Sequence, residues 1–568
     1  MRISNRNSIL AIAKIALLSA LLTACGVNTS TTSDVVQPTP AQSSRILSQA
    51  TFGPTIEEIN RLETMGTAAW FNEQFAKPQS LHMVYLNKTL PNLGANQPGQ
   101  DLFLESFWQQ AIQGDDQLRQ RVTYALSQIL VVSFQNDTLA SMPRGVASYY
   151  DTLGAYAFGN YRDLLEAVTL HPMMGIYLSS MRNQKASIGR EPDENYAREV
   201  MQLFTIGLRN LNMDGTDAGG TPTPTYTNSD IKFLAKVFTG WSWAGPDKSD
   251  RRFNSAPSDT DLAYVAPDRD WMPMQNYGAA YHDFDKIADT ENPPVLFADV
   301  AGALTNTSGE ASLKIALDKL FNHPNVGPFI GRQLIQRLVT SNPSPAYIGR
   351  VAAAFEASST HPRGDMKALI KAVLLDPEAM DPTTQPSYVA ATNGKLREPV
   401  LRLANWMRAF HVNSSSGRFK IPNLDDRQFL LGQTPMNSPT VFNFYRPEYT
   451  SPGTQIAAAG KFAPEMQITE EISVVGYLNY MRGVISGGAN ISNDVKADYT
   501  TELALAAQPE PDQLVDYVKL LLTQNQMSDN LRTQIITAIK SNQTNSAKNK
   551  VYLAIYLTMA SSEYLVQK

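Results

Sequence analysis

The sequence predicts a mostly α-helical protein, a multi-helix globular body with short β-hairpins and long irregular inserts. Apolar residues recur at the spacing of an amphipathic helix in one segment after another from Ser44 onward. That periodicity disappears in residues 246–300, where Pro, Gly, Asp and aromatic residues dominate. The Asp214-Gly215 pair within residues 210–225 is typical of a hairpin turn. Helical periodicity, its loss in one long insert and turn chemistry together predict this fold class.

The first 25 residues are predicted to be a lipoprotein signal peptide. A basic segment precedes the apolar run Ile15–Leu22, which is too short to span a bilayer. The sequence Leu-Thr-Ala-Cys then ends at Cys25, the only cysteine in 568 residues, and resembles a bacterial lipobox. Acylation of Cys25 would anchor an exported chain to the cell envelope, and Gly26 favours the outer membrane or the cell surface. The alternative is an ordinary secretory signal with an incidental cysteine.

Residues 26–41 are rich in Ser, Thr and Pro and are predicted to be a flexible tether. Three parts follow: an N-terminal helical part (42–245), an irregular aromatic and acidic insert (246–300) and a C-terminal helical part (301–568). Periodicity and capping residues predict individual helices within the two helical parts. Among the longest are Asp101–Gln113, Gln117–Phe134, Ser312–Phe321, Val326–Val339, Lys395–Phe410 and Ala463–Arg482.

Composition excludes some classes of partner. The chain has 48 Lys and Arg against 53 Asp and Glu, a formal net charge of −5, and no basic cluster. Nucleic-acid binding depends on neutralising phosphates with clustered cations, so we expect no nucleic-acid partner. With Cys25 acylated the chain can form no disulfide, and an exported body must then be stabilised by its core, which the 43% hydrophobic content allows.

The segment Asp193–Arg209 predicts one amphipathic helix with Asp193 as its N-cap. Glu194 and Arg198 form a favourable i,i+4 pair on its polar side. The apolar side comprises Tyr196, Ala197, Val200, Met201, Leu203, Phe204 and Leu208, and Ile206 is the single misfit. The polar side comprises Glu194, Asn195, Arg198, Glu199, Gln202, Thr205 and Arg209.

A second helix is predicted after a turn-rich stretch. Thr227 and Asp230 have the spacing of a capping box, with Asp in place of the usual Glu. Gly240 is placed to end this helix in a left-handed conformation. The two helices together carry the sequences ENYAREVMQLFTIG and YTNSDIKFLAKVFTGW.

These two sequences resemble the signature of a large bacterial family known as domain of unknown function 1800. The resemblance continues along nearly the whole mature chain, through Ser44–Ile59, Arg119–Ser133, Leu170–Met181, Phe321–Ile348, Lys395–Phe410 and Gly432–Tyr449. It implies no catalytic role that could be carried over. It does imply a partner, because relatives are commonly encoded beside an exported family that resembles sulfatases and alkaline phosphatases.

Four residues are candidates for catalysis: Asn195, Arg198 and Glu199 on one helix, and His171. Glu199 would act as a base and Arg198 would hold an anion. The alternative, which we favour, is a buried structural network that ties this helix to the following loops. For His171 the sequence His-Pro-x-x-Gly also fits a helix start, with His as the cap and Pro172 at the first helical position.

A metal site is the second hypothesis. His282, Asp283 and Asp285 form the best local cluster of ligand types, and His171 or Glu199 could complete it in space. The spacing is less specific than that of a zinc motif on a helix, and the sequence identifies no cofactor.

A binding cleft is the third hypothesis. Trp241, Trp243, Trp271, Tyr445 and Arg446 are aromatic and cationic residues of irregular segments, the types that anchor glycans or peptides at binding sites. The alternative is that they pack these segments onto the core.

The sequence therefore favours an exported, lipid-anchored binding or assembly protein of the cell envelope, acting with a partner protein or glycan. The alternative is a hydrolase-type envelope enzyme, with or without a metal, that uses Glu199 and Arg198 with His282 and Asp283.

Overall fold

A computed structural model describes residues 37–89, 99–258, 268–284, 293–305, 307–384, 393–488, 494–541 and 546–568. The predicted signal peptide with Cys25, most of the tether and Asp285 lie outside the described residues. Within them the protein is mostly α-helical with short antiparallel strand pairs, so the predicted fold class is confirmed. No helix among the described residues combines the length and the apolar character needed to cross a bilayer.

The helices of the first half begin where capping residues predict. Thr39 and Thr227 each form a capping box, and Pro stands at the first turn of several helices. The helices are α1 (Pro40–Ala50), α2 (Ile56–Met65), α3 (Thr67–Ala76), α4 (His82–Thr89), α5 (Gln100–Gln113), α6 (Gln117–Ser127), α7 (Asp137–Ala140), α8 (Pro143–Tyr156), α9 (Tyr161–Leu170), α10 (Pro172–Tyr177), α11 (Asn195–Gln202), α12 (Asn228–Val237) and α13 (Asp250–Asn254).

Longer helices recur in the second half, many with side-chain caps such as Ser344, Asp365 and Ser546. They are α14 (Ala301–Leu304), α15 (Gly309–Phe321), α16 (Val326–Leu338), α17 (Pro345–Phe355), α18 (Met366–Leu374), α19 (Pro377–Met380), α20 (Pro399–Ala409), α21 (Gln455–Ala458), α22 (Glu471–Gly487), α23 (Thr500–Ala506), α24 (Asp512–Thr523), α25 (Asp529–Ser541), α26 (Ala547–Ala560) and α27 (Ser562–Leu565). Short 3-10 turns cover Ala218–Gly220, Gly278–Ala280, Pro382–Thr384 and Pro464–Ile468.

The strands are short and pair in three antiparallel ladders. They are β1 (Trp241–Ser242), β2 (Gln275–Asn276), β3 (Lys395–Leu396), β4 (Asn413–Ser414), β5 (Val495–Lys496) and β6 (Val566–Gln567), paired β1 with β2, β3 with β6 and β4 with β5. The β1–β2 pair attaches the irregular insert to the residues that follow α12. The β3–β6 pair brings the chain end beside the start of α20.

Buried apolar side chains form one continuous cluster that extends from Ile46 to Tyr564. In the first half α8 packs against α4, α5, α6 and α9, and in the last quarter α26 packs against α22, α23, α24 and α25. Helix α6 also contacts α16, so residues of both predicted helical parts lie side by side. This contact between α6 and α16 positions the charged side chains described below.

Several predicted helix boundaries are wrong. The helix predicted over Ala463–Arg482 spans Glu471–Gly487, after a 3-10 turn at Pro464–Ile468. The helix predicted to reach Phe134 ends at Ser127, and the one predicted from Lys395 starts at Pro399. A residue that precedes proline avoids the α conformation, so Glu398 is an extended N-cap and Lys395 is free to enter β3. Helix α11 ends at Gln202, so Leu208 is exposed and Ile206 is buried, the reverse of the prediction.

Candidate functional site

Helix α11, which carries the family signature, has a polar side that is only partly exposed. Arg198 and Glu194 form the predicted ion pair at 3.2 Å, and both side chains are partly exposed. Glu194 rather than Asp193 is the N-cap, but the Asp193 carboxylate accepts a hydrogen bond from the Asn195 amide at 2.8 Å. Asn195 is exposed. An exposed i,i+4 pair contributes about 0.5 kcal/mol or less, so it stabilises the helix only slightly.

Glu199 is buried, contrary to its predicted place on the polar side. Its Oε2 has no hydrogen-bond partner among the described residues. Burial raises the pKa of this carboxyl, and the nearby charge of Arg198 only partly opposes the shift. Its charge also helps burial to raise the pKa of the Tyr177 hydroxyl to about 12. Glu199 is therefore a carboxyl beneath the surface with a raised pKa, not part of an open polar strip.

His171 is the N-cap of α10. Its Nδ1 accepts a hydrogen bond from the Met173 amide at 3.2 Å, and its Nε2 lies 3.4 Å from the Ser148 hydroxyl. The ring packs edge-on against Tyr149, and burial lowers the pKa of the imidazole to about 3. A capping nitrogen must be unprotonated, so burial and capping favour the same neutral form. The capping interpretation of His171 is therefore confirmed.

His282 and Asp283 fasten the insert to the end of α12. The His282 Nδ1–H donates to the Thr239 carbonyl at 2.8 Å, and the Asp283 amide donates to the Thr239 hydroxyl at 2.8 Å. Gly240 lies so close that a Cβ there would be 2.9 Å from the His282 Cβ, and its φ of 80° is the predicted left-handed value. His282 is fully buried.

The metal hypothesis depends on ligands that converge. Among the described residues, no three His, Cys, Asp or Glu side chains are arranged to hold a metal ion. Neither His171 nor Glu199 therefore completes a site with His282 and Asp283. Asp285 lies outside the described residues, so a site built from the insert alone stays a prediction.

Three of the aromatic residues expected to line an exposed cleft are core residues. Trp241, Trp243 and Tyr445 are buried. The Trp243 indole donates to the Ser255 carbonyl at 2.8 Å, and the Arg337 guanidinium lies 4.8 Å from the centre of the Tyr445 ring. The expectation of an exposed cleft is therefore wrong for these three, because their indole and phenol rings pack the irregular segments onto the core.

The remaining two predicted binding residues lie nearer the surface. Trp271 is partly exposed and has the Arg144 guanidinium 4.7 Å from its ring centre. Arg446 is exposed, with its guanidinium 5.0 Å from the ring centre of Phe442. Each pair is a cation–π contact.

A second group of charges, which the sequence did not identify, lies at the centre of the molecule. We call Arg121, Arg337, Lys395, Glu398 and Glu465 the charged centre. The Lys395 ammonium lies 3.2 Å from Glu465 Oε1 and 3.8 Å from Glu398 Oε1, and the exposure of these three side chains is 1% or less. Lys395 also donates to the carbonyls of Gln336 and Arg337, each at 3.1 Å.

Glu398 is the residue on which most hydrogen bonds of the charged centre converge. Its Oε2 accepts hydrogen bonds from the Tyr124 hydroxyl and from the amides of Gln128 and Gln433. Arg121 of α6 donates to the Arg337 carbonyl at 2.7 Å. Tyr124 and Glu398 are 274 positions apart in the chain, so these bonds join segments that only tertiary folding brings together.

The two carboxyls of the charged centre differ in acidity. Burial acts to raise the pKa of Glu398, but Lys395, Arg121 and Arg337 together hold it below its ordinary value. Burial raises the pKa of Glu465, and the charge of Glu398 adds to that shift against the opposing effect of Lys395. Glu398 is thus the more acidic of the two carboxyls. Paired carboxyls of unequal acidity resemble acid–base pairs, but nothing outside the protein contacts groups buried this deeply.

Local sequence carries only a faint signal of the charged centre. Four of its five members lie in three of the blocks that carry the family resemblance, at Arg119–Ser133, Phe321–Ile348 and Lys395–Phe410, and Glu465 lies outside them. The charged sequence Lys-Leu-Arg-Glu-Pro before an apolar helix is the one feature that could have indicated it. A charged run that leads into a buried helix must find partners inside the protein.

An exposed apolar surface lies on α22. We define the apolar patch as Phe429, Ile472 and Val475, whose exposures are 65%, 56% and 57%. Ile472 and Val475 are three positions apart on one face of the helix. The segment before Phe429 packs on the same helix, since a Cβ at Gly476 would be 2.4 Å from the Arg427 carbonyl.

Comparison with known proteins identifies a family. The family model described as a protein of unknown function, DUF1800, matches residues 45–566. No curated protein and no solved structure matches the chain.

Proposed function

We propose a role for this chain, which belongs to the DUF1800 family of proteins of unknown function. It acts as an exported, lipid-anchored binding or assembly protein of the cell envelope. The predicted lipobox at Cys25 supports the anchor. The apolar patch on α22 is the observation that carries the binding role. Large exposed apolar patches commonly mark a protein–protein contact.

The surroundings of the apolar patch favour a partner with a basic rim. Asp426, Glu470 and Glu471 are exposed beside it, and among the described residues only Glu470 of the three has an ion pair, with Arg427. A second copy of this chain would bring the same carboxylates against one another, which costs free energy. A different protein with an apolar centre and Lys or Arg around it fits better.

The family resemblance suggests which protein to test. Its implied partner is an exported protein that resembles sulfatases and alkaline phosphatases. Export and anchoring would place both proteins at the same envelope, where anchoring raises the effective concentration of each for the other.

The test measures binding of the full chain to that purified partner by titration calorimetry. Phe429→Asp and Val475→Asp each place a carboxylate in the apolar patch, and we expect the Kd to rise at least about tenfold, which is about 1.4 kcal/mol. Ile188→Asp is the matched control, because Ile188 is equally apolar and fully exposed outside the patch. No binding, or binding that the two patch variants leave unchanged, would contradict the proposal.

The hydrolase-type alternative receives less support from the contacts. It needs Glu199, Arg198, His282 and Asp283 to converge on a pocket open to solvent. Glu199 and His282 are both buried, and the Nδ1 of His282 is bonded to the Thr239 carbonyl. The binding role is therefore the one that we carry forward.

A further inference from the structure

A groove of about 760 Å³ lies between α4, the C-terminal end of α5 and residues 416–418. Ligand sites in proteins typically measure roughly 300–1,000 Å³, so the groove has the size of a binding site. It is separate from the apolar patch and from every residue that the sequence singled out.

One buried carboxylate joins the three walls of the groove. Glu105 of α5 accepts a hydrogen bond from the Tyr85 hydroxyl of α4 at 2.8 Å. The Arg418 guanidinium forms two further bonds with it, at 2.9 and 2.8 Å. Such a two-pronged pair fixes both partners in angle and distance. The walls are therefore held in place before any ligand arrives, which reduces the entropy cost of binding.

The N-terminal end of α4 is also fixed. The buried Asp151 carboxylate accepts hydrogen bonds from the amides of His82 and Met83 at 2.8 and 2.9 Å. The Gln79 side chain, which lines the groove, donates to the Asp151 carbonyl at 2.8 Å. Ligand contacts made by α4 would therefore be made by a rigid wall.

The lining of the groove determines the kind of ligand. Gln109 and Gln110 present side-chain amides that make no hydrogen bond to the described residues, and each amide offers both donors and an acceptor. Leu81 and Val84 are exposed aliphatic side chains on the opposite wall. The described lining includes the cations Lys88 and Arg418 and no carboxylate, so a neutral or acidic molecule meets no like charge there.

We propose that this groove binds an oligosaccharide, neutral or acidic. Vicinal hydroxyls pair with side-chain amides, and the C–H face of a sugar ring packs on aliphatic side chains. A peptide fits less well, because two of the walls are helices whose main-chain groups are already bonded, and the described lining contains no strand that a peptide could extend. The inference goes beyond the proposed partner protein and uses a different surface.

The experiment titrates the full chain with two probes, a tetramer of β-1,4-linked N-acetylglucosamine and a tetramer of galacturonate, by calorimetry. We expect saturable binding of at least one probe. Replacing both amides, in the double variant Gln109→Ala and Gln110→Ala, is expected to raise the Kd at least about tenfold. Gln113→Ala is the matched control, an exposed amide on the same helix outside the groove, and is expected to bind like the wild type.

Several outcomes overturn the proposal. They are the absence of saturable binding of either probe at millimolar concentration, equal binding by the double variant and the wild type, and an equal loss in Gln113→Ala. Gln109 and Gln110 are partly exposed and carry no internal side-chain bond, so their removal leaves the fold intact, which thermal unfolding checks. The apolar-patch variants retain the groove, so failure of the partner-protein test leaves this result unaffected.

Discussion

Glu398 of the charged centre and Glu199 of helix α11 are both buried, and the two glutamates have opposite surroundings. Glu398 is fully buried, accepts three hydrogen bonds at one oxygen and has the Lys395 ammonium 3.8 Å from the other. Glu199 is buried with an oxygen that has no partner among the described residues. The pKa of Glu398 is lowered and that of Glu199 is raised. Burial alone therefore does not determine the charge of a carboxyl, because its partners can reverse the effect.

The comparison separates two roles that sequence alone cannot distinguish. A buried charge with partners ties distant segments together, and losing one partner leaves the others uncompensated. A buried carboxyl without partners costs free energy when ionised and persists at little cost only when protonated. Both arrangements place a glutamate on a short helix or at its N-cap.

The largest expected effect is that of Glu398→Gln. The new amide would place an N–H group beside the Lys395 ammonium and remove the charge that compensates Arg121 and Arg337. We expect the free energy of unfolding to fall by about 3–5 kcal/mol, measured by urea denaturation at neutral pH.

Glu199→Gln is the control that sharpens this comparison. It removes a carboxyl that is also buried but has an oxygen with no hydrogen-bond partner among the described residues. We therefore expect the free energy of unfolding to change by less than about 1 kcal/mol, in either direction. If the two variants were destabilised equally, the distinction between partnered and unpartnered glutamates would be wrong.

A smaller effect concerns the pH dependence of stability. Glu502 of α23 is buried, neither of its oxygens has a partner among the described residues, and burial together with the charges of Asp498 and Glu57 raises its pKa to about 7. Because the folded pKa exceeds the unfolded value, the stability that this group contributes is complete below its ordinary pKa of 4.5. It is lost as the pH rises towards 7 and above.

The measurement compares the wild type with Glu502→Gln by denaturation at pH 5 and pH 8. The variant lacks this titration. We therefore expect its free energy of unfolding, relative to that of the wild type, to increase from pH 5 to pH 8 by at most about 3 kcal/mol. A difference that stays constant with pH would show that Glu502 titrates at its ordinary value.

Local features of the fold could be predicted from the sequence. The Thr227 capping box, the left-handed Gly240 and the ion pair of Glu194 with Arg198 depend on residues at most four positions apart, and all three are confirmed. The propensities and caps that define such features act within one or two turns of helix.

The burial of Glu199 and the charged centre could not be predicted in this way. Tyr177 and Tyr226 belong to other segments and lie near Glu199. The periodicity within Asp193–Arg209 contains no information about these neighbours. Arg121 and the Arg337 carbonyl that it reaches are 216 positions apart. Trp241 and Trp243 are of a residue type that is typical of binding sites, but tertiary packing places them in the core.

The smallest expected effect concerns His171, a buried ionisable group that has a partner and no charge. His171→Asn keeps an oxygen that can accept the Met173 amide, whereas His171→Ala does not. Both variants lose the ring contact with Tyr149, so the difference between them isolates the cap. We expect His171→Asn to be the more stable of the two by about 1 kcal/mol in the free energy of unfolding from urea denaturation at pH 8. Equal stability would show that the imidazole serves α10 only by packing, and the neutral form would then be a consequence of burial alone.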